Sequence, residues 1–369
     1  MTRRFAIGAE CTGTGTHFRV WAPRRNAVAI VLEGGREQVL TPEGSGYHSG
    51  YIDGALAGHR YRIRLDGKPQ LLPDPASRYQ PDGPHGPSQI VDASQFHWND
   101  SDWPGVTLKG QVIYELHTGT FTQTGTWQSA IPKLPQLKSI GVTCIELMPV
   151  AEFTGRFGWG YDGVDLFAPA HIYGSPDDLR TFVAAAHALG LGVILDVVYN
   201  HFGPDGCYLK EFEEDYFTSK HANEWGEALN YDGERARGLR DLVTANAAYW
   251  IEEFHFDGLR LDAVQTIHDD SSPHILACIS QAVHEAAGNK NVILVAESED
   301  QRAIVVRPVS AGGYGMDAVW NDDFHHAAIV ALTGHNGAYY SDFHGTPQEL
   351  ISAAKYGYLF QGQNFHWQH

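Results

Sequence analysis

Over its first ninety or so residues the chain alternates apolar and polar positions in short runs, His17 to Trp21, Val28 to Leu32 and Tyr61 to Leu65, separated by Gly-rich turns. A period of two sends successive side chains to opposite faces of a strand, so the pattern predicts a small antiparallel β-sandwich over residues 1–95. From Pro73 to Pro104 the chain is rich in Pro, Asp and Gly, which resist helix and central strand alike. A connection belongs there, with a linker over 96–109 and a boundary near Lys109.

Beyond it, apolar runs of strand length alternate with amphipathic stretches, the pattern of βαβ units around a parallel sheet. The runs are Val112 to Leu116, Cys144 to Met148, Gly192 to Val197, Gly258 to Asp262, Val292 to Glu297 and Ala318 to Trp320. Several end in polar residues, on the side where parallel barrels place their active sites. Ser175-Pro176 followed by Asp178 predicts a capped helix start, and Gly190 its stop. Leu179, Phe182, Val183 and Ala186 then share one face, as do Val243, Ala247, Trp250, Ile251 and Phe254 further on. Pro132 and Pro135 would each cost about 3 kcal/mol inside a helix, so the first helix is expected to be distorted or to start late.

A net charge of −18 opposes a nucleic-acid partner, whereas a neutral sugar meets no such repulsion. Nine Trp offer flat apolar faces for pyranose rings, although most aromatics belong to cores. Cys11, Cys144, Cys207 and Cys278 lie far apart, without the spacing of a zinc site or a disulfide framework, and a reducing cytoplasm fits them. No apolar stretch follows Arg3 and Arg4, and no segment approaches eighteen uninterrupted apolar residues, so neither a signal peptide nor a membrane span is expected.

In Gly258 to Ala263 the period of two places Leu259 and Leu261 on one side of a strand and Arg260 with Asp262 on the other, facing the lumen. A guanidinium beside a carboxylate favours its ionised form, the form a nucleophile at an anomeric carbon requires. The run Ile293 to Ala296 delivers Glu297 from apolar surroundings, which favour the protonated form a general acid requires. Two carboxyls in those states, about 5 Å apart, are what a retaining glycosidase uses. Asp196, Asn200 and His201 end a third strand with groups able to bond sugar hydroxyls. Gly158 to Gly163 forms a turn that presents Trp159 and Tyr161. Each segment alone also has an ordinary reading: an ion pair, a loop cap, a satisfied histidine, a tight turn.

Taken in order, ELMPV, GWGYDGV, DVVYNH, GLRLDAV and LVAE resemble the α-amylase superfamily of glycoside hydrolases. The resemblance implies a (β/α)8 TIM-type barrel, with Asp262 as nucleophile and Glu297 as acid/base. Arg260 and His201 would stand at the cleavage subsite, Tyr161 would stack there and Asp196 would brace it. Within the superfamily, ELHTGTFT, PDPASRYQPDG, NHFGPDG and AGGYGMDAVWNDDFHHA resemble the maltooligosyltrehalose trehalohydrolases. That group implies hydrolysis of the α-1,4 bond beside a terminal trehalose, with a maltooligosyltrehalose synthase as pathway neighbour. It also implies a glycogen-binding-type or immunoglobulin-like N-terminal sandwich, and a cleft lined by Asp322, Asp323, Phe324, His325 and His326 beyond Asn321. No cofactor or metal is demanded. The alternatives are a glycogen-branching enzyme, an isoamylase-type debranching enzyme and a non-catalytic α-glucan-binding protein.

Gln265 stands where His is expected, which bears on recognition of the leaving group, and Ser298 to Gln301 departs from the usual run after the acid. The superfamily's third carboxylate, in an Asn-His-Asp segment on a seventh strand, has no counterpart before His369. The catalytic region, 110–369, is therefore expected to stop before strands 7 and 8, after Gln361 to Gln363, and its open edge to promote self-association.

Overall fold

A computed structural model describes residues 3–300 and 302–359. Met1, Gln301 and the Gln361 to Gln363 segment lie outside the described residues.

Two four-stranded antiparallel sheets form the N-terminal part. One runs in the order Gly8–Cys11, Gly15–Trp21, Tyr47–Asp53, Thr41–Pro42, and the other Glu37–Val39, Val28–Leu32, Arg60–Leu65, Ser88–Gln89. Phe18 from the first meets Tyr61 from the second edge to face, ring centres 4.9 Å apart, with Val20, Ile30 and Ile63 buried in the same core. The three strands read from alternation are here. The five others are shorter, richer in polar residues or interrupted by Gly50, and carry weaker alternation.

Six parallel strands follow, each beside the next: β1 (Ile113–Leu116), β2 (Cys144–Leu147), β3 (Gly192–Val197), β4 (Gly258–Leu261), β5 (Ile293–Glu297) and β6 (Ala318–Trp320). All six expected runs agree with these bounds to within one residue at either end. The register sets Asp196 opposite Arg260, and Leu261 opposite Ala296, so the polar ends of β3, β4 and β5 arrive side by side. Among the described residues these six strands form part of a (β/α)8-type barrel, its helices on the outer face.

Those helices are α1 (Leu134–Ser139), α2 (Pro176–Ala188), α3 (Arg237–Glu253), α4 (Ile275–Ala287), α5 (Asp322–Thr333) and α6 (Pro347–Tyr356). At the start of α2 the Ser175 N–H donates to Asp178 Oδ2 at 2.8 Å, and the Asp178 N–H donates to Ser175 Oγ at 3.3 Å, closing a capping box. The apolar faces expected for α2 and α3 are buried. Ahead of α1 the chain steps through a short helix at Trp127–Ala130 and a 3-10 turn at Ile131–Lys133. Pro132 and Pro135 each occupy a first-turn position, where a missing N–H costs nothing. Two short antiparallel pairs were not anticipated. Ala151–Glu152 with Asp165–Pro169 holds the excursion after β2, and Phe217–Thr218 with Ala228–Leu229 the one after β3.

The sandwich packs directly on α3. A Cβ on Gly238 would come within 2.2 Å of the Trp21 indole, so glycine at this helix position, which costs about 1 kcal/mol against Ala, admits the ring. Tyr47 donates to Asp241 at 2.7 Å, and the Arg78 guanidinium lies over the rings of Phe167 and Tyr249 at 4.1 and 4.6 Å.

The connecting segment is pinned to the barrel floor. His187 at the end of α2 has Asp100 Oδ2 2.8 Å from Nδ1 and Asp257 Oδ2 2.9 Å from Nε2. Trp103 stacks on that imidazole at 4.8 Å and donates its indole N–H to Asp257 Oδ1 at 2.8 Å, while Trp98 stacks on His255 at 3.8 Å. No helix among the described residues is long and apolar enough to cross a membrane.

Candidate active site

Alternation along β4 turns Leu259 and Leu261 into the outer core and Arg260 into the lumen, where its guanidinium joins three carboxyls. Nη1 lies 2.8 Å from both oxygens of Asp196 and 2.7 Å from Asp262 Oδ1; Nη2 lies 2.8 Å from Glu297 Oε2. Desolvation opposes its charge, but Asp196, Glu297 and Asp262 outweigh it and push the guanidinium above its ordinary value, so it stays a cation. One fixed cation thus brings together the two carboxyls singled out from sequence.

The remaining contacts distinguish the two carboxyls. Asp262 Oδ2 accepts from Asn200 Nδ2 at 2.8 Å, and the same amide reaches the Asp262 carbonyl at 2.9 Å. Both side-chain oxygens are therefore held by donors, which suits an ionised carboxylate. Glu297 Oε2 accepts from the Ala263 N–H at 3.0 Å as well as from Arg260. Both partners only donate, so a proton on this carboxyl belongs on Oε1. Burial pushes Glu297 above its ordinary value; Arg260 and the Ala263 N–H oppose the shift, and the Asp262 and Asp322 charges support it. The raised direction is the one expected from the apolar run that precedes Glu297.

Tyr161 donates to Asp196 Oδ2 at 2.9 Å, and burial followed by the Asp196 charge pushes its phenol up, which keeps the proton for that bond. Asp196 is fully buried, and burial drives its carboxyl up to about 7 against the pull of Arg260. His201 is buried and its Nδ1 meets Asn200 Oδ1; burial lowers its imidazole, leaving it neutral in the neutral range. Gln265 occupies the 3-10 turn Val264–Thr266 after Ala263, with its Oε1 buried and unpartnered among the described residues.

The five residues expected beyond β6 diverge. Asp322, at the start of α5, is close enough to add to the potential on Glu297. Asp323 is buried and accepts from the Leu359 N–H at 2.5 Å. Phe324 is exposed, His325 lies against His326, and His326 packs edge-on against Tyr340 and Phe343 at 5.0 and 5.2 Å.

Three features escaped sequence reasoning. Asn200 was one of several polar groups at the end of β3, and only the fold brings it to Asp262. Ala263 adopts left-handed φ 41°, ψ 51°, which aims its N–H at Glu297; nothing in its side chain signals this. Glu146 on β2 is 1% exposed, with both carboxyl oxygens unpartnered among the described residues. Burial, then the Asp196 charge, pushes it up to about 8, so it carries a proton in the neutral range. A glutamate inside the buried run CIEL was the available signal. Among the described residues no group of three or more His, Cys, Asp or Glu is arranged to hold a metal ion.

A family model described as the catalytic domain of alpha amylase matches residues 96–228. The chain is 44% identical to a malto-oligosyltrehalose trehalohydrolase of Deinococcus radiodurans, over 95% of this chain and 56% of that one. A Saccharolobus solfataricus protein of the same name is 43% identical, over 97% and 62% respectively. A crystal structure from Salmonella typhimurium, itself provisionally assigned as an alpha amylase, superposes with a TM-score of 0.91 at 39% identity, over 98% of this chain and 62% of that one. The chain thus spans about 56–62% of the length of these relatives. With the six parallel strands and the Arg260 cluster at their C-terminal ends, these likenesses establish that the chain belongs to the α-amylase family of glycoside hydrolases.

Proposed function

We propose that this chain carries the paired carboxyls of an enzyme that hydrolyses the α-1,4-glucosidic bond next to the terminal trehalose of a maltooligosyltrehalose, releasing trehalose with retention. The observation that carries the reading is the sharing of Arg260 between Asp262 and Glu297, one carboxyl bonded at both oxygens and the other raised by burial. The names of the relatives supply the substrate. We further propose a division into a sandwich over 1–95, a linker over 96–109 and a catalytic region over 110–369. The setting would be the cytoplasm, with a maltooligosyltrehalose synthase supplying substrate. The net charge of −18 suits a neutral glucan and disfavours nucleic acid.

In this reading Asp262 attacks the anomeric carbon as Glu297 passes the Oε1 proton to the leaving glycosidic oxygen. Glu297, now ionised, takes a proton from water, and the hydroxide formed displaces Asp262 from the sugar. Arg260 moves no proton. It holds Asp262 in place, and its bonds to Asp196, to which Tyr161 donates in turn, fix the wall beside the reacting sugar.

The test is product analysis with maltooligosyltrehalose, comparing this chain with a version extended to the length of its relatives. Free trehalose from the extended protein supports the reading. A transferred branch, a released linear chain, or binding without turnover would each replace it.

A further inference from the structure

Where the sandwich meets the barrel, three segments enclose a cavity of about 170 Å³. Phe5 and Cys11 line it from the first strand of the sandwich and the residues before it, Ser94 from the 3-10 turn at Ala93–Gln95, and Tyr249 with Glu253 from the end of α3. That end of α3 leads into the start of β4, whereas Asp262 follows the end of β4. The cavity therefore lies toward the barrel floor, a strand length from the Arg260 cluster. The structure assigns it as a binding site for one small uncharged polyol, a single sugar ring of the hexose class, held between sandwich and barrel. The assignment is independent of the hydrolase reading above.

Three observations support it. First, Arg78 forms part of the wall and is only 5% exposed; its Nη2 donates to the Ile7 carbonyl at 3.1 Å, while Nη1 has no hydrogen-bond partner among the described residues. The rings of Phe167 and Tyr249 stabilise the charge of this guanidinium but bring no oxygen to Nη1. A buried donor left unmet is costly, and a ligand hydroxyl would satisfy it. Second, each carboxylate in the wall is already held. Glu10 accepts from the Phe5 N–H at 2.8 Å and pairs with Arg3 at 3.6 Å, Glu253 lies 3.2 Å from both Arg4 and Arg180, and Asp92 accepts from the Ser94 N–H at 3.1 Å. Their spare lone pairs can accept from hydroxyls, but an ammonium group would find them neutralised. Glu10, Glu253 and Asp92 also outnumber Arg4 and Arg78 in the wall, which disfavours a phosphate or a carboxylate. Third, Phe5 and Ala9 are buried and supply an apolar side for the C–H face of a sugar ring. Acceptors, one free donor and an apolar side together match a polyhydroxyl ligand, and neither an ion nor a hydrocarbon uses all three.

Cys11 lines the cavity and is partly exposed, so its alkylation by iodoacetamide reports occupancy; Cys278 on α4, also partly exposed and outside the cavity wall, is the reference. Alkylation rates at the two cysteines should be followed by peptide mass spectrometry with glucose, inorganic phosphate or glycine added in turn. Glucose is expected to slow Cys11 about 3-fold at about twice its Kd and to leave Cys278 unchanged, and phosphate and glycine to slow neither. Arg78→Met, with the parent's thermal transition, should weaken glucose binding about 5-fold, the loss of one hydrogen bond. Protection by phosphate or glycine, equal slowing of Cys11 and Cys278, no slowing by glucose, or unchanged affinity in folded Arg78→Met would each overturn the assignment. The pattern in the parent protein needs no variant, so a misfolded substitution does not leave the question open.

Discussion

Arg260 Nη2 stands 2.8 Å from Glu297 Oε2, and the Ala263 N–H bonds the same oxygen at 3.0 Å, so the acidic proton is confined to the opposite oxygen, Oε1. Glu297→Gln keeps the size and the acceptor for both donors but has no acidic proton. Turnover of maltooligosyltrehalose by the extended protein should fall by about 10²–10⁴, the usual worth of general acid catalysis, with little change in melting temperature. A variant with parental turnover would remove Glu297 from the mechanism.

The charge on Asp322 raises Glu297. Removing that charge in Asp322→Asn makes ionisation of Glu297 easier, so its titration should move to lower pH, and with it the alkaline limb of activity. A ¹³C carboxyl titration reads this directly. Movement to higher pH would mean that Asp322 acts through something other than its charge.

Glu146 titrates at about 8 in the fold, against an ordinary 4.5. Between those values the folded chain holds a proton that the unfolded chain has released, so stability falls as pH rises through the window. By pH 8 the loss is on the order of 4 kcal/mol as an upper bound. Glu146→Gln cannot ionise. Its melting temperature should match the parent's near pH 5 and exceed it at pH 8; equal curves at both pH values would show that Glu146 has a partner when ionised.

His187 separates Asp100 from Asp257 on the barrel floor. His187→Ala leaves both carboxyls buried without the imidazole between them, which should cost about 3–5 kcal/mol in urea unfolding. Trp103 should lose its protected, stacked fluorescence in the same variant. A loss below about 1 kcal/mol would mean that the other donors around Asp257 carry the floor alone.

Much of this was legible because a buried parallel strand needs a continuous apolar run, and its polar end marks the lumen rim. Asp196, Arg260 and Glu297 each stand at or near such an end, so their strands and their neighbourhood could be read together. Strands such as Glu37–Val39 are too short and too exposed to show a period. The excursion strand Asp165–Pro169 is buried throughout, but it begins with Asp and ends with Pro, which obscured it. Asn200 and Asp262 are 62 residues apart in sequence, so their hydrogen bond is a tertiary fact with no local signature. Asp322 and His326, four apart on one helix, stay on one side and interact, while Asp323, Phe324 and His325 turn away from it for a simple cause. Adjacent helical positions face different neighbours, and a five-residue stretch cannot all line one cleft.

The floor of the barrel has a thermal consequence. Beside the apolar cluster of Val106, Cys144, Ile194 and Ile293, the floor holds His187, Asp100, Asp257, His255 and Lys290, interleaved with Trp98 and Trp103. Water solvates ions less favourably as it warms, so the penalty for having dried these groups shrinks with heating, while the benefit of hiding hydrocarbon levels off. The hold of the connecting segment on the barrel floor should therefore be relatively better in a hot solution than in a cold one, and cooling is the direction in which that segment would loosen first.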